Sequence, residues 1–204
     1  VAYMDTCIQN IICKIKAFGI SNETLIVITS DHGETLYEHD CYFDHHGLYD
    51  CTLTVPLILS LPGRLPEGKR YKDYCQLKDI MPTILEIMDI NTDIKFDGRS
   101  LMPLTRCEYR EQEPEFYITE CTWMRKHGLR TPEWKYIHAL EPDFHFKPEI
   151  ELYNLIKDPY ENNNIADKEP SIVKVLEERM LMHINRREKE TGRRNPMYTN
   201  LNWH

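Results

Sequence analysis

The sequence predicts an α/β domain followed by a small subdomain of antiparallel sheet plus helix, and three observations carry that prediction. Ile8, Ile11, Ile12 and Ile15 repeat at helical spacing, and the continuous β-branched and apolar run Thr24–Thr29 follows them. A second apolar run, Leu53–Leu59, precedes another helical pattern at Ile80, Ile84, Leu85 and Met88, which gives helix, strand, loop, strand, helix. From residue 107 onward the pattern changes to short strand-like pieces at 116–121, 128–131, 134–140 and 151–155, closed by an amphipathic stretch over 169–189.

Each element has a local reason. The first helix covers about 3–18, with Gly19 placed to end it. Residues 24–29 read as a strand buried on both faces, as in a parallel sheet. Residues 35–50 hold few apolar repeats and many polar and aromatic side chains, which reads as a functional loop with one short helix. Pro56 puts the strand at 53–59 on an edge or beside a bulge. Asp79 is placed to cap the helix that carries Ile80, with Pro82 in its first turn. Trp134 and Tyr136 alternate with Lys135, as strand residues packing a small core do. In the last helix Pro170 occupies the first turn, and Ile172, Val175, Leu176, Met180 and Ile184 form the apolar face. The Asn-rich tail from Thr191 reads as extended.

Hydrophobic residues make up 41% and charged residues 28%, the balance of a globular chain and not of a disordered one. A net charge of −8 excludes a nucleic-acid surface, which needs clustered Lys and Arg. No apolar run approaches the roughly 18 residues of a membrane span. The opening Val1-Ala-Tyr-Met-Asp5 carries neither a starting Met nor a signal pattern, so the chain is expected to begin inside a longer protein. Seven cysteines, at 7, 13, 41, 51, 75, 107 and 121, include no C-x-x-C pair, so thiols and not a disulfide framework are expected.

Asp31 and His32 stand at the carboxyl end of the first strand, where open α/β sheets bind ligands. A hard carboxylate oxygen beside an imidazole nitrogen makes a pair of ligands for a divalent cation. The same residues also read as a helix-capping Asp followed by a surface His. Gly33 lets the chain turn sharply or approach a ligand closely.

The segment Leu25-Ile-Val-Ile-Thr-Ser-Asp-His-Gly-Glu34 resembles the sulfatase segment in which a strand delivers an Asp, followed by Asn or His, to a metal. Tyr49-Asp50 with Val55-Pro-Leu-Ile-Leu59, Leu77 to Leu85 and Phe96-Asp-Gly-Arg-Ser-Leu101 are similar to further blocks of that family. So are Leu129-Arg130 with Trp134-Lys-Tyr-Ile137, and Glu151-Leu-Tyr-Asn-Leu155 with Asp158-Pro159 and Asn164-Ile-Ala166. The blocks are collinear over about residues 3–185, so the chain resembles the C-terminal portion of a sulfatase of the alkaline-phosphatase-like superfamily.

The resemblance implies that residues 1–106 are part of an alkaline-phosphatase-like sandwich, the C-terminal part of the catalytic domain, and that 107–204 are a C-terminal subdomain. It implies sulfate ester hydrolysis by the hydrate of a formylglycine, made from a C/S-x-P-x-R motif, with one calcium ion (Ca2+) per site. Asp31 and His32 match two of the metal ligands. The nucleophile and the other ligands are expected in an N-terminal half of the catalytic domain, with which this chain would partner. The implied substrate is a sulfated small molecule or glycan, and the implied compartment is periplasmic, extracellular or lysosomal.

Two local motifs are set aside. Ser60-Leu-Pro-Gly-Arg64 satisfies S-x-P-x-R but follows a strand where the family has an ordinary loop, and Cys121-Thr-Trp-Met-Arg125 lacks the Pro. The family's sulfate-contacting Lys, four residues before the Tyr-acid pair, is His45 here. His45 can serve as a cation or as a general acid, with His46 the alternative inward-facing ring. His39 is a candidate for substrate contact or packing, and Arg130 for substrate contact or a salt bridge. Cys41, His45, His46 and Cys51 form a weaker zinc pattern, since tetrahedral sites pair their ligands tightly. A phosphonate or phosphate ester hydrolase, or a phosphotransferase of the same fold, is the alternative reading, and a non-catalytic fragment is a third.

Overall fold

The computed structural model describes residues 1–106, 114–121 and 124–199. The chain divides into two compact units, Val1–Asp31 with Pro56–Glu111, and His32–Val55 with Gln112–His204. The sequence placed all of 1–106 in one domain. The structure instead groups residues 32–55 with the C-terminal unit, because their hydrogen-bond partners lie more than seventy positions along the chain. Cys107 lies outside the described residues.

In the first unit, α1 (Ala2–Ala17) ends where expected. Gly19 takes φ 70°, and its N–H bonds to Lys16 O at 3.0 Å. This left-handed residue closes the last turn at no steric cost. Strand β1 (Ile26–Thr29) pairs antiparallel with β2 (Leu57–Ser60) in the register Ile26↔Ser60 to Thr29↔Leu57. The expectation of a parallel strand buried on both faces is thus corrected: β1 is antiparallel and only half-buried. An apolar run reports the capacity for burial and is silent on strand direction. The second strand also starts later than predicted, at Leu57, because Asp50–Leu53 form one helical turn, α2, ahead of Pro56.

Helix α3 (Ile80–Ile87) shows why its flanking motifs have the residues they have. The Asp79 carboxylate accepts N–H groups from Gln76 at 2.9 Å and Arg99 at 3.0 Å. Thr83 Oγ1 accepts the Leu101 N–H at 2.9 Å. A Cβ on Gly98 would sit 2.0 Å from Lys78 O, so only glycine fits beneath that carbonyl. Asp79, Thr83 and Gly98 therefore fix the segment that leads into α4 (Met102–Thr105).

The second unit is a sheet covered on both faces. Strands β3 (Phe116–Cys121), β4 (Arg125–Arg130), β5 (Trp134–Ala139) and β6 (Ile150–Asn154) form an antiparallel meander in sequence order. Leu129, Tyr136 and Leu152 lie side by side across it and pack against Leu176, Met180 and Ile184 of α5 (Pro170–Thr191). The opposite face presents Ile137 and Tyr153 to Leu48 and Tyr49. The tail is not extended, as expected, but turns through α6 (Pro196–Thr199) and buries Met197. Asn195 begins this turn by accepting the Met197 N–H at 3.0 Å.

Leu129 has no exposure in the core beneath α5. Leu129→Ala is expected to lower the unfolding free energy by about 2–5 kcal/mol, read from chemical denaturation.

Candidate functional site

The candidate site lies on the segment that opens at His32 and is pinned to the polar face of the sheet. Gly33 starts it. The Gly33 N–H donates to Thr52 O at 2.7 Å, and a Cβ there would meet Cys51 O at 2.0 Å. Glycine is needed here for close backbone approach. Further on, Thr35 and Asp44 pair as a single bridge, Thr35 N to Asp44 O at 2.8 Å, which draws residues 36–43 into a closed loop.

Asp44 gathers three imidazoles. Its oxygens lie 3.9 Å from His45 Nδ1, 3.4 Å from His46 Nε2 and 3.5 Å from His145 Nε2, and Oδ1 also accepts the His45 backbone N–H at 2.7 Å. His46 is 5% exposed, and its Nδ1 is 2.9 Å from Glu120 Oε1. The other Glu120 oxygen accepts the Gly47 N–H at 2.9 Å. His46 is thus the inward ring, held between two carboxylates. His45 faces solvent and stacks on His46 at 5.0 Å and on His32 at 4.5 Å. Two groups of side chains bring potential ligand atoms within 4.8 Å of one another, His32 with Glu34 and His45, and Asp44 with His45 and His46.

His32 Nδ1 lies 2.8 Å from Gly33 O. A carbonyl only accepts, so in this contact Nδ1 is the donor. Asp31 ends the first unit, exposed, with Ser30 Oγ at 3.4 Å from its Oδ1.

His39 adopts φ 59° and lies flat on Tyr49, with ring centres 3.7 Å apart and 8° between planes. Burial, then the Lys147 and Lys135 charges, lower its pKa to about 4, so its ring is neutral at pH 7. Tyr49 donates to Glu151 Oε2 at 2.7 Å, and Tyr153 to the same oxygen at 2.6 Å. Arg130 forks onto Asp50, Nη2 to Oδ2 at 2.8 Å and Nε to Oδ1 at 3.2 Å, which is the salt-bridge alternative of its two sequence readings. Lys135, with no exposure, lies 2.6 Å from Asp50 Oδ1 and 2.5 Å from Glu161 Oε1. The other Glu161 oxygen accepts the Asp50 N–H at 2.7 Å. Burial raises the Asp50 pKa, but the Arg130 hydrogen bond and Lys135 outweigh it and hold the carboxyl at about 2.

The structure therefore brings His32, His45 and His46 together and places His39 and Arg130 in the frame around them. Sequence reasoning missed Glu120 and His145. A carboxylate inside the strand Phe116–Cys121 was the available signal for Glu120; His145 had none. The zinc pattern is not assembled: among the described residues, the groups able to hold an ion contain no cysteine. Burial instead pushes the Cys41 thiol up to about 11. Arg64 of the rejected S-x-P-x-R match contacts Ile87 O and, at 2.5 Å, Asp89.

Residues 37–189 match the family described as N-sulphoglucosamine sulphohydrolase, C-terminal. The chain is 31% identical over 195 residues to arylsulfatase K of Bos taurus, covering 90% of this chain and 35% of that protein. It is 28% identical over 182 residues to the Delta 4,5-hexuronate-2-O-sulfatase of Bacteroides thetaiotaomicron, covering 84% of this chain and 36% of that one. A solved structure in complex with its substrate D-glucosamine-2-N,6-O-disulfate superposes with a TM-score of 0.75 at 25% identity, over 96% of this chain and 40% of its own. The phosphonate monoester hydrolase of Agrobacterium radiobacter superposes with a TM-score of 0.68 at 24% identity, over 89% and 39%, a likeness of fold alone. The chain thus spans little more than a third of the length of these relatives.

Lys135→Ala leaves the buried Glu161 carboxylate without its cation, while Asp50 keeps Arg130, and is expected to cost about 3–5 kcal/mol in chemical denaturation. The folded pKa of His39, about 4, lies below its ordinary 6.5, so stability is intact above pH 6.5 and erodes as pH falls toward 4. His39→Phe keeps a ring on Tyr49 and flattens that slope in melting temperature against pH. His127, which burial also holds at about 4, contributes to the slope that remains.

Proposed function

We propose that this chain, which belongs to the N-sulphoglucosamine sulphohydrolase C-terminal family of sulfatases, serves a sulfuric ester hydrolase acting on sulfated carbohydrate. The observation that supports the reading is the match over residues 37–189, because it includes the loop on which Asp44, His45, His46 and Glu120 converge. The relatives' own names, a hexuronate sulfatase and a protein bound to a disulfated glucosamine, favour a sugar sulfate.

Asp31 and His32 are the proposed metal ligands, with calcium as the proposed ion. The donor chemistry fits in part. Asp31 offers hard oxygen and His32 an imidazole nitrogen, while calcium normally takes six to eight oxygens. Two residues are therefore a share of a site whose other ligands belong to the part of the protein this chain does not span. A bound divalent cation supplies polarisation of the sulfate oxygens and stabilisation of a charged nucleophile. No residue of this chain is assigned as nucleophile; a formylglycine elsewhere in the protein is the proposed one.

His45 is an exposed ring of the cluster and is proposed to take the place of the family lysine. It either faces the sulfate as a cation or donates a proton to the leaving oxygen. His46 sits behind it. Glu120 on Nδ1 and Asp44 near Nε2 fix the His46 plane, and stacking passes that orientation to His45.

Asp31→Ala in the full-length protein is expected to abolish turnover of an aryl sulfate, while residues 1–204 alone show negligible turnover, both followed by release of the phenol. Full activity of the variant would overturn the metal assignment. Faster cleavage of an aryl phosphonate than of an aryl sulfate by the full-length protein would overturn the sulfatase reading.

A further inference from the structure

The loop closed by Thr35 and Asp44 displays three large rings to solvent. Tyr37 is 71% exposed, Tyr42 61% and Phe43 68%. Tyr37 meets Tyr42 at 5.8 Å and 77°, and Phe43 at 5.7 Å and 67°. The edge-to-face contacts make an angled wall instead of a flat apolar patch. Beneath the rings the backbone is held. The Glu38 carboxylate accepts the N–H groups of Leu36 at 2.7 Å and Tyr37 at 3.0 Å, and Lys147 Nζ reaches Asp40 at 3.3 Å. His39, Asp40 and Phe43 all have positive φ, of 59°, 53° and 50°. A non-glycine residue in that region costs about 1–3 kcal/mol and persists where the surroundings impose it. The fold thus carries backbone strain to hold exposed aromatic side chains on a fixed support.

We propose that Tyr37, Tyr42 and Phe43 form a stacking platform for a saccharide ring of the substrate, next to the histidine cluster; the proposal rests on the sulfated-carbohydrate reading above. Three features favour this occupant. Phe43 directly precedes Asp44, so the platform adjoins the carboxylate that gathers His45, His46 and His145. Tyrosine combines an apolar face for the C–H face of a sugar with a hydroxyl for its rim, at the low entropic cost of two side-chain torsions. Residues 36–44 contain Glu38, Asp40 and Asp44 but no Lys or Arg, the reverse of what an anionic lipid surface would select. The acids do not bar a sulfated sugar: Glu38 is engaged by backbone amides, Asp40 by Lys147 and Asp44 by imidazoles.

The test uses the full-length protein with a sulfated glucosamine saccharide as substrate and inorganic sulfate as inhibitor. For Tyr37→Ala and for Tyr42→Ala, KM for the saccharide is expected to rise about three- to tenfold, the equivalent of one ring contact. The inhibition constant of inorganic sulfate and the melting temperature stay unchanged, and Tyr37→Phe restores KM. Saturation-transfer NMR from aromatic protons to the saccharide is expected in the unmodified protein and is weakened in Tyr37→Ala. An unchanged KM, or the absence of that transfer, overturns the platform even where hydrolysis persists. A joint change of KM, sulfate inhibition and melting temperature also overturns it, because the rings would then pack against protein. Transfer without hydrolysis by the unmodified protein keeps the platform and removes the sulfatase reading.

Discussion

The Lys135 ammonium lies in the protein interior between the carboxylates of Asp50 and Glu161, and the seat of residues 37–53 depends on that contact. Withdrawing one such ion from water costs several kcal/mol, so it survives only with partners in good geometry. Here the partners balance. Lys135 and Arg130 carry two positive charges against the two negative charges of Asp50 and Glu161, and the Asp50 N–H takes up a further oxygen. Beside this group Glu151 Oε2 accepts two tyrosine hydroxyls, and Lys126 Nζ lies 3.8 Å from Oε1. Burial and the Glu151 charge push both hydroxyls far above their ordinary pKa, so they stay protonated and keep donating.

This lattice explains the division of labour in the second unit. One face of the sheet is an ordinary apolar contact with α5, which supplies cohesion. The other joins a smaller apolar cluster to a set of directional bonds that aligns a loop. Tyr49 lies on that second face, His39 lies on Tyr49, and Glu120 holds His46 and Gly47. His46 is therefore oriented from a strand, through Glu120, as well as from its own segment, through Asp44, which is what a site needs if its geometry is to be set before a ligand arrives.

Much of this was legible in the sequence. The apolar spacing of 169–189 located α5, and alternation located all four strands of the meander, because each signal is local and repeats. Asp79 stands at the start of α3 as the sequence placed it, but its carboxylate does not cap that helix: it accepts the N–H groups of Gln76 and Arg99, the second of them twenty positions away. Strand direction for 26–29 was not legible, nor was the membership of 32–55, since both are decided by partners distant in sequence. In the site, the histidines were visible as residues, but which ring turns inward depends on Glu120, seventy-four positions away. Alternation likewise set Lys135 opposite Trp134 and Tyr136, on a face ordinarily left to water. Only the covering loop makes that face an interior.

The separation of Asp50 from Glu161 by 111 positions has a consequence for biosynthesis. A ribosome delivers the histidine-bearing loop long before the carboxylate that completes its anchor, and the strands that receive it emerge in between. The nascent loop must therefore wait unseated, with its charged side chains hydrated, until the meander has formed. Assembly of the imidazole group is a late event in the making of this polypeptide, and a message cut short before Glu161 would yield the histidines without the frame that aims them.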